Sequence, residues 1–252
     1  MLRRALIILT VASSWGVAGE EEAPKHLRRA SGTNIVPALP TDVSVYKNVL
    51  SEEELAYMMT APFGNPEWDY HTPVGEPRAF TQSGVAYVSK QQSQFDWLFE
   101  RLTNLCQRAN EENQWGYDIL PPNVPPYGDD VQVATYTEGD FYGVHRDTQD
   151  PDGSIKQQRA RRVCATVLLL NDDYEGGDLH YYLASDKNRT EIVETPAEPT
   201  FVKKKAGTAV VWKANALYHG VTELTKGARR VVVWWAHGTE ALPRSDDRKD
   251  EL

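Results

Sequence analysis

Seven short runs rich in β-branched and aromatic residues fill the second half of the chain, and they constrain its fold more than any other feature. The runs lie at 131–137, 162–170, 178–183, 200–204, 207–212, 217–222 and 230–236, with turn-forming residues between them. Runs of this length and composition are typical of β-strands. Before them, apolar residues recur at helical spacing from Ser93 to about Asn110, which predicts a long amphipathic helix. Helices followed by many strands predict a mainly β fold with flanking helices, built as a two-sheet sandwich or jelly roll with its helices on one face.

The chain has the size and composition of a single folded domain. Its 252 residues are 40% hydrophobic and 25% charged, which is enough apolar material for a substantial core. A shorter helix is expected to start at Ser51, because Ser51 and Glu54 have capping-box spacing. Trp212, Trp234 and Trp235 fall in predicted strands, where core packing is the favoured role, although one of them lining a peptide groove is an alternative.

The net charge limits the classes of partner. It is -9 at pH 7, whereas nonspecific nucleic-acid binding depends on an excess of lysine and arginine. We therefore expect no nucleic-acid partner. The basic stretch at 156–162 is better explained as a solvated loop than as a site for an acidic partner.

Both ends of the chain carry patterns of targeting signals. Residues 1–19 combine two arginines, a short apolar run and small residues in the order of a secretory signal peptide, and the apolar run is shorter than the ~20 residues of a membrane-spanning helix. Residues 249–252 read KDEL, the retrieval signal of the endoplasmic reticulum. We predict a lumenal protein with no stable membrane insertion after cleavage. Its expected organisation is a flexible leader at 20–40, one domain at 41–240 and a tail at 241–252.

Cysteine usage and one sequon bear on the same compartment. The chain has two cysteines, Cys106 and Cys164, so it depends mainly on its core rather than on a disulfide framework. Both fall in apolar patterns, and pairing and free buried thiols are both left open. Asn188 begins a glycosylation sequon in a polar loop, and its use is also left open.

A small set of polar side chains points to a metal site. His145 and Asp147 are two residues apart, so an extended chain turns both to the same side, and His219 lies on a later predicted strand. Two histidines and one carboxylate on one face of an octahedron are the pattern of non-haem iron(II) sites. Arg229 follows His219 by ten residues, across a turn. A buried guanidinium at that position is suited to bind a dicarboxylate. Strand alternation sends one of Arg229 and Arg230 inward, and we predict that it is Arg229.

These residues lie in segments that resemble the prolyl 4-hydroxylases of the iron(II) and 2-oxoglutarate dioxygenase superfamily. The stretch "YTEGDFYGVHRD" matches their Tyr-x-x-Gly-x-x-Tyr-x-x-His-x-Asp segment at Tyr136, Gly139, Tyr142, His145 and Asp147. The strand, turn and Gly-Gly hairpin at 162–182 and the Gly-Thr-Ala-Val strand at 202–212 are similar to the segments that follow. The resemblance covers about residues 131–236, the expected catalytic core, and little of the N-terminal third.

The resemblance implies a double-stranded β-helix that binds iron(II) through His145, Asp147 and His219. It also implies that 2-oxoglutarate chelates the iron, that dioxygen and L-ascorbate complete the cofactors, and that no catalytic side chain acts beyond the metal and cosubstrate ligands. The protein then contributes positioning and shielding, while the oxidation belongs to the metal and the cosubstrate.

At the expected cosubstrate site, this sequence differs by one residue type from the collagen-type enzymes. The resemblance implies that Arg229 anchors 2-oxoglutarate, with Tyr136 and Thr166 as candidates to hydrogen-bond it. Collagen-type prolyl 4-hydroxylases have lysine at this position, whereas prolyl 3-hydroxylases and lysyl hydroxylases have arginine. The departure leaves the cosubstrate unchanged but leaves the target residue and the hydroxylated carbon open.

The expected function is that of a procollagen-proline hydroxylase-like enzyme of the endoplasmic reticulum lumen. It hydroxylates proline in peptides or proteins of the secretory pathway and converts 2-oxoglutarate to succinate. Peptidyl-lysine hydroxylation is the second enzyme hypothesis. A non-catalytic scaffold or chaperone subunit with the same fold is a third, a cupin-like binder of small metabolites rests on fold alone, and a lumenal partner subunit is left open.

Overall fold

The computed structural model describes residues 39–61, 80–81, 84–121, 129–148, 161–183 and 198–240. The helices are α1 (Glu52–Thr60) and α2 (Asp96–Glu112), and the strands are β1 (Val43–Tyr46), β2 (Phe80–Thr81), β3 (Gly84–Val88), β4 (Tyr117–Ile119), β5 (Val131–Tyr136), β6 (Phe141–His145), β7 (Arg162–Leu169), β8 (Glu175–Gly176), β9 (Leu179–Tyr181), β10 (Thr200–Phe201), β11 (Ala209–Lys213), β12 (His219–Val221), β13 (Leu224–Lys226) and β14 (Arg229–Glu240). The predicted signal peptide, nearly all of the predicted leader, Asn188 and the C-terminal tail lie outside the described residues.

Two large sheets organise the strands. The larger sheet has the order β1-β11-β7-β14-β5-β3, with β4 paired to β14, and the smaller has the order β10-β9-β12-β6-β2. A third, two-stranded sheet pairs β13 with β8. All strand pairs are antiparallel, and several neighbours are far apart in sequence, as in β11 beside β1. The prediction of a mainly β jelly roll with flanking helices is confirmed.

Side-chain alternation separates the core into two layers. On β7, Cys164 and Leu168 pack with the helices, whereas Ala165 and Val167 pack between the two sheets. The outer layer also takes the apolar face of α2, including Leu102. Because β7 is apolar on both faces, its sequence pattern marks it as buried without indicating which face meets which layer.

Both predicted helices are present. At the start of α1, the Ser51 hydroxyl accepts a hydrogen bond from the Glu54 main-chain N–H, and the Glu54 carboxylate accepts one from the Ser51 N–H, which confirms the capping box. α2 begins three residues after Ser93 because a 3₁₀ turn at Ser93–Phe95 comes first. Among the described residues, no helix is long and apolar enough to cross a membrane.

A disulfide joins the helical layer to the larger sheet. Cys106 of α2 and Cys164 of β7 form this bond, which resolves the choice that the sequence left open. The bond closes a loop with a sequence separation of 58 residues, for which loop-closure entropy predicts about 4 kcal/mol of stabilisation. It therefore fixes α2 against the outer face of the strand that borders the site described next.

Two strands of the smaller sheet, β2 and β6, were not expected. β6 (Phe141–His145) contains Gly143 and the polar side chains of Tyr142 and His145. From the sequence, this segment was expected only to form one rim of a metal site. Its pairing is long-range, since His145 lies opposite His219 of β12. A strand of this kind has little local signal because its partner is supplied by the tertiary fold.

Candidate metal centre

Three side chains with metal-binding atoms converge at one end of the smaller sheet. His145 ends β6, Asp147 lies two residues later in the following turn, and His219 begins β12. The antiparallel register puts His219 directly opposite His145. One ligand atom from each of the three lies within 4.8 Å of the others, and His219 Nε2 is 3.9 Å from Asp147 Oδ1. The structure thus brings together the three residues that the sequence proposed as ligands.

Main-chain carbonyls orient both imidazole rings. Nδ1 of His145 is 2.9 Å from the Gly143 carbonyl oxygen, and Nδ1 of His219 is 3.3 Å from that of Leu217. Nδ1–H therefore donates to a carbonyl in each ring, and the Nε2 lone pair is left for a metal. Two such nitrogens and one carboxylate fit iron(II), which takes two histidines and a carboxylate on one face and keeps the other positions open.

Aromatic rings enclose these ligands. The ring centroids of Tyr142 and His145 are 4.3 Å apart, as are those of His145 and His219. Trp212 of β11 lies 4.6 Å from His219 between centroids, and its Nε1–H donates a 2.9 Å hydrogen bond to Asp147 Oδ2. The expectation that Trp212 belongs to the core is confirmed by its burial, but the sequence did not indicate its contact with a ligand 65 residues away.

The main chain of Asp147 has a separate support. Arg162 donates a 3.0 Å hydrogen bond from Nη1 to the Asp147 carbonyl oxygen, and its Nε is 2.6 Å from Asp129 Oδ2. Burial raises the pKa of the Asp129 carboxyl, but the neighbouring His237, whose Nε2 is 3.6 Å from Asp129 Oδ1, and the Arg162 guanidinium outweigh it and hold that pKa below its usual value. The guanidinium also lies over the Trp235 ring, 4.0 Å from its centroid.

The burial of Arg162 corrects one expectation. The basic stretch at 156–162 was expected to be solvated, yet the Arg162 side chain is only 11% exposed. The first five residues of that stretch lie outside the described residues. Arg162 is the first residue of β7, and its ion pair with Asp129 and its contact with the Trp235 ring replace the hydration of a solvated arginine.

Arg229 faces the space between the sheets, as predicted. It is 1% exposed, and Nε and Nη1 have no hydrogen-bond partner among the described residues. Its guanidinium carbon lies 4.8 Å from the ring centroid of Tyr136, its cross-strand neighbour. Arg230 points the other way and donates from Nη1 to the Met59 carbonyl at 2.7 Å. A buried guanidinium with two unpaired nitrogens is suited to receive a carboxylate from a ligand.

Two residues beside Arg229 were not anticipated in this role. Tyr174 is buried next to it, and burial raises the pKa of the Tyr174 hydroxyl more than the charge of Arg229 lowers it. Gly177, the second glycine of the Gly-Gly hairpin, has a φ of +60°, and a Cβ there would lie 3.2 Å from Arg229 Cδ and 2.8 Å from Leu224 Cδ1. The bare α-carbon of Gly177 therefore leaves room for the arginine stem.

Thr166 is not part of this arrangement. Its Oγ1 is 3.5 Å from Cys106 Sγ of α2, so its side chain lies in the layer between the helices and the larger sheet. The prediction that Thr166 hydrogen-bonds 2-oxoglutarate is wrong, because strand alternation puts it on the opposite face from Ala165. Tyr136 does face the interior beside Arg229, and its contact with a cosubstrate stays a prediction.

Comparison with known families agrees with this geometry. A profile of the 2OG-Fe(II) oxygenase superfamily matches residues 131–237, a span that includes the three clustered ligands and Arg229. The chain contains a domain of this superfamily. The resemblance to prolyl hydroxylases inferred from the motifs is thereby confirmed at the level of an oxygenase domain. Iron(II) and 2-oxoglutarate, the cofactors in the superfamily's name, fit the ligand set and the two unpaired guanidinium nitrogens of Arg229.

Relatives of this oxygenase domain include bacterial hydroxylases. A PKHD-type hydroxylase of Parvibaculum lavamentivorans is 33% identical over 122 residues, which is 48% of this chain and 47% of the relative. A PKHD-type hydroxylase of Acinetobacter baumannii is 26% identical over 209 residues and 81% of each chain. The first alignment thus spans about half of the relative.

Solved structures share the fold of the oxygenase domain. A Pseudomonas putida prolyl-4-hydroxylase has a TM-score of 0.53 at 19% identity, covering 78% of this chain and 92% of its own. A Trichoplax adhaerens prolyl hydroxylase, solved with a peptide fragment of the hypoxia inducible factor oxygen degradation domain, has a TM-score of 0.55 at 14% identity, covering 79% and 84%. Identities this low establish the common jelly roll and nothing finer.

Proposed function

We propose that this protein is an iron(II)- and 2-oxoglutarate-dependent dioxygenase that hydroxylates proline within peptides or proteins. The observation that carries the proposal is the convergence of His145, Asp147 and His219, whose ligand atoms lie within 4.8 Å of one another in an oxygenase domain. A non-catalytic scaffold is disfavoured because such a chain has no reason to keep both the three ligands and a buried arginine with unpaired nitrogens.

Each group has a defined task in this proposal. His145, Asp147 and His219 would hold the iron, and the buried guanidinium of Arg229 would bind a carboxylate of 2-oxoglutarate. When bound, the two cofactors supply the oxidation, in which 2-oxoglutarate and dioxygen yield succinate, carbon dioxide and one hydroxyl group on the substrate carbon. Tyr142 and Trp212, whose rings lie against those of His145 and His219, would limit the access of water to the reacting atoms.

A peptide substrate is supported by the surface near the ligands. Tyr142 is half-buried beside His145 and offers an aromatic face, which suits proline rings in extended peptides. The Trichoplax prolyl hydroxylase with the same fold was solved with a peptide bound.

A peptide-library assay tests the reaction and the target together. The purified protein is incubated with iron(II), 2-oxoglutarate, ascorbate and peptides that contain proline, lysine or neither, and products are sequenced by fragment mass spectrometry. We expect one oxygen added to proline, with succinate formed in equal amount, and no product without 2-oxoglutarate. An oxygen on lysine instead would replace the proline assignment by lysine hydroxylation. Absence of succinate with every peptide, from protein that still binds iron, would favour the scaffold.

We also propose that the protein acts in the endoplasmic reticulum lumen on secretory-pathway proteins. Support comes from the signal-peptide pattern of residues 1–19, the KDEL motif at 249–252 and the Cys106–Cys164 disulfide, since disulfides persist in oxidising compartments. A lumenal hydroxylase meets unfolded chains before their prolines are buried. Ascorbate dependence and a lumenal partner subunit remain part of this proposal.

Thiol trapping and glycosidase treatment test the location. Cells are lysed in an alkylating reagent, and the protein is analysed by mass spectrometry with and without removal of N-glycans. We expect Cys106 and Cys164 to be protected from alkylation until reduction, and Asn188 to carry a glycan. Free, alkylated cysteines together with an unmodified Asn188 would place the chain outside the secretory pathway.

A further inference from the structure

We propose that Trp212 is a positioning residue that selects which oxygen of Asp147 binds the metal. By donating its indole N–H to Oδ2, it reserves Oδ1 for the ion and keeps the carboxylate a single-oxygen ligand. The inference rests on the proposed metal site but not on the identity of the substrate, so metal binding can test it even if the protein hydroxylates no proline.

The two oxygens of Asp147 have different surroundings. Oδ2 receives the 2.9 Å hydrogen bond from Trp212 Nε1, whereas Oδ1 lies on the side of the histidines, 3.9 Å from His219 Nε2. Asp147 is 4% exposed and Trp212 is 1% exposed. Water therefore has little access to replace the indole as the partner of Oδ2, and the difference between the two oxygens is built into the core.

The chemistry of the indole suits this task. Its Nε1–H donates and cannot accept, so Oδ2 of Asp147 is the acceptor and is occupied by this contact. A hydrogen bond to an ionised group in a dry site is short and about twice as strong as one between neutral groups. Rotation of the carboxylate to offer both oxygens to the metal would break that bond. The site is thus set for one oxygen before any ion arrives.

Trp212 is itself held rigidly. Its strand β11 has partners on both sides, with Val43 of β1 and Ala165 of β7 opposite Trp212. Arg162 holds the Asp147 main chain from another direction, through its carbonyl oxygen. The backbone and the carboxylate of the ligand are therefore fixed by two different residues, and Trp212 acts on the side chain alone.

Metal titration of Trp212→Phe tests the role. Cobalt(II) is the probe, because it accepts the same nitrogen and oxygen ligands and its visible absorption bands report ligand number and geometry. We expect binding about 10- to 100-fold weaker, the range for loss of an outer partner of a metal ligand, together with shifted visible bands. The matched control is Trp115→Phe, which loses a 2.7 Å indole hydrogen bond to the Thr41 carbonyl far from the ligands, and its cobalt affinity and spectrum should match the parent.

An isosteric variant separates the hydrogen bond from packing. In Trp212→3-benzothienylalanine, a sulfur replaces the N–H in a ring of nearly the same shape, so this protein should fold even if Trp212→Phe does not, and it should show the same weaker cobalt binding. Unchanged cobalt affinity and spectrum in the isosteric variant would overturn the proposal.

Discussion

Replacing Asp147 with asparagine is expected to remove iron binding and 2-oxoglutarate turnover while leaving the fold intact. The amide oxygen can still accept the hydrogen bond that Trp212 gives to Oδ2, but the ligand charge is lost and an NH₂ group can take the place of Oδ1. Loss of a direct ligand should exceed the ~10- to 100-fold effect of losing an outer partner. Iron titration and succinate formation measure the two losses, and urea unfolding measures the stability.

A second variant, Asp147→Ala, separates the loss of the metal ligand from the loss of the acceptor for Trp212. It should lose iron and turnover to the same extent, but it also leaves the buried Trp212 N–H without an acceptor, which costs about 1–3 kcal/mol. We therefore expect a lower urea midpoint for Asp147→Ala than for Asp147→Asn. The exposed Asp118 on β4 provides the control, and Asp118→Ala should keep iron, turnover and stability. Full turnover by either Asp147 variant would reject the metal assignment.

Arg229→Met is expected to raise the KM for 2-oxoglutarate roughly 10- to 100-fold, from the ~1.5–3 kcal/mol of hydrogen bonds made by a charged group. The unfolding free energy without cofactors should stay the same or increase, because the guanidinium is 1% exposed with two unpaired nitrogens and methionine removes a buried, poorly compensated charge. Steady-state kinetics and urea unfolding provide the two measurements. Arg229→Lys, which keeps the charge but not the planar fork, should fall between the parent and Arg229→Met.

The neighbouring arginine gives the opposite pattern. Arg230 donates to the Met59 carbonyl on the outer face of the sheet, so Arg230→Met should lower stability and leave the KM for 2-oxoglutarate unchanged. This reversal separates a residue kept for ligand binding from one kept for the fold. An unchanged KM in Arg229→Met, or a large loss of stability in that variant, would show that Arg229 is structural.

The features that followed from sequence depend on short-range patterns. The alternating and continuous apolar runs predicted most strands of the larger sheet, and capping-box spacing predicted the start of α1. The two-residue spacing of His145 and Asp147 identified them as a ligand pair, although Asp147 lies in the turn after β6, and the two-residue period of a strand correctly separated Arg229 from Arg230. His219 required a pattern match over a longer distance, which the motif resemblance supplied.

Thr166 is an example of a residue whose position these short-range patterns do not predict. Strand alternation in β7 puts Ala165 and Thr166 on opposite faces of the sheet. Both faces are buried, so neither composition nor spacing indicates which of the two residues lies on the face of Arg229. The position of α2 decides the question by covering the face that carries Thr166 and Cys164. The burial of Arg162 was missed for a similar reason, since its partner Asp129 comes from before β5.

The sequence by itself determined the kinds of group in this protein: a jelly roll of short strands, two histidines and a carboxylate for a metal, and an arginine for an anion. The tertiary structure alone decided how those groups are held, including the Trp212 N–H on Oδ2 of Asp147, Arg162 on the Asp147 carbonyl and the disulfide between α2 and β7. The physical reason is the distance along the sequence over which each feature is determined. Periodicity and ligand type can be recognised from neighbouring residues, whereas a hydrogen bond between residues 65 positions apart exists only after the sheets have paired and packed.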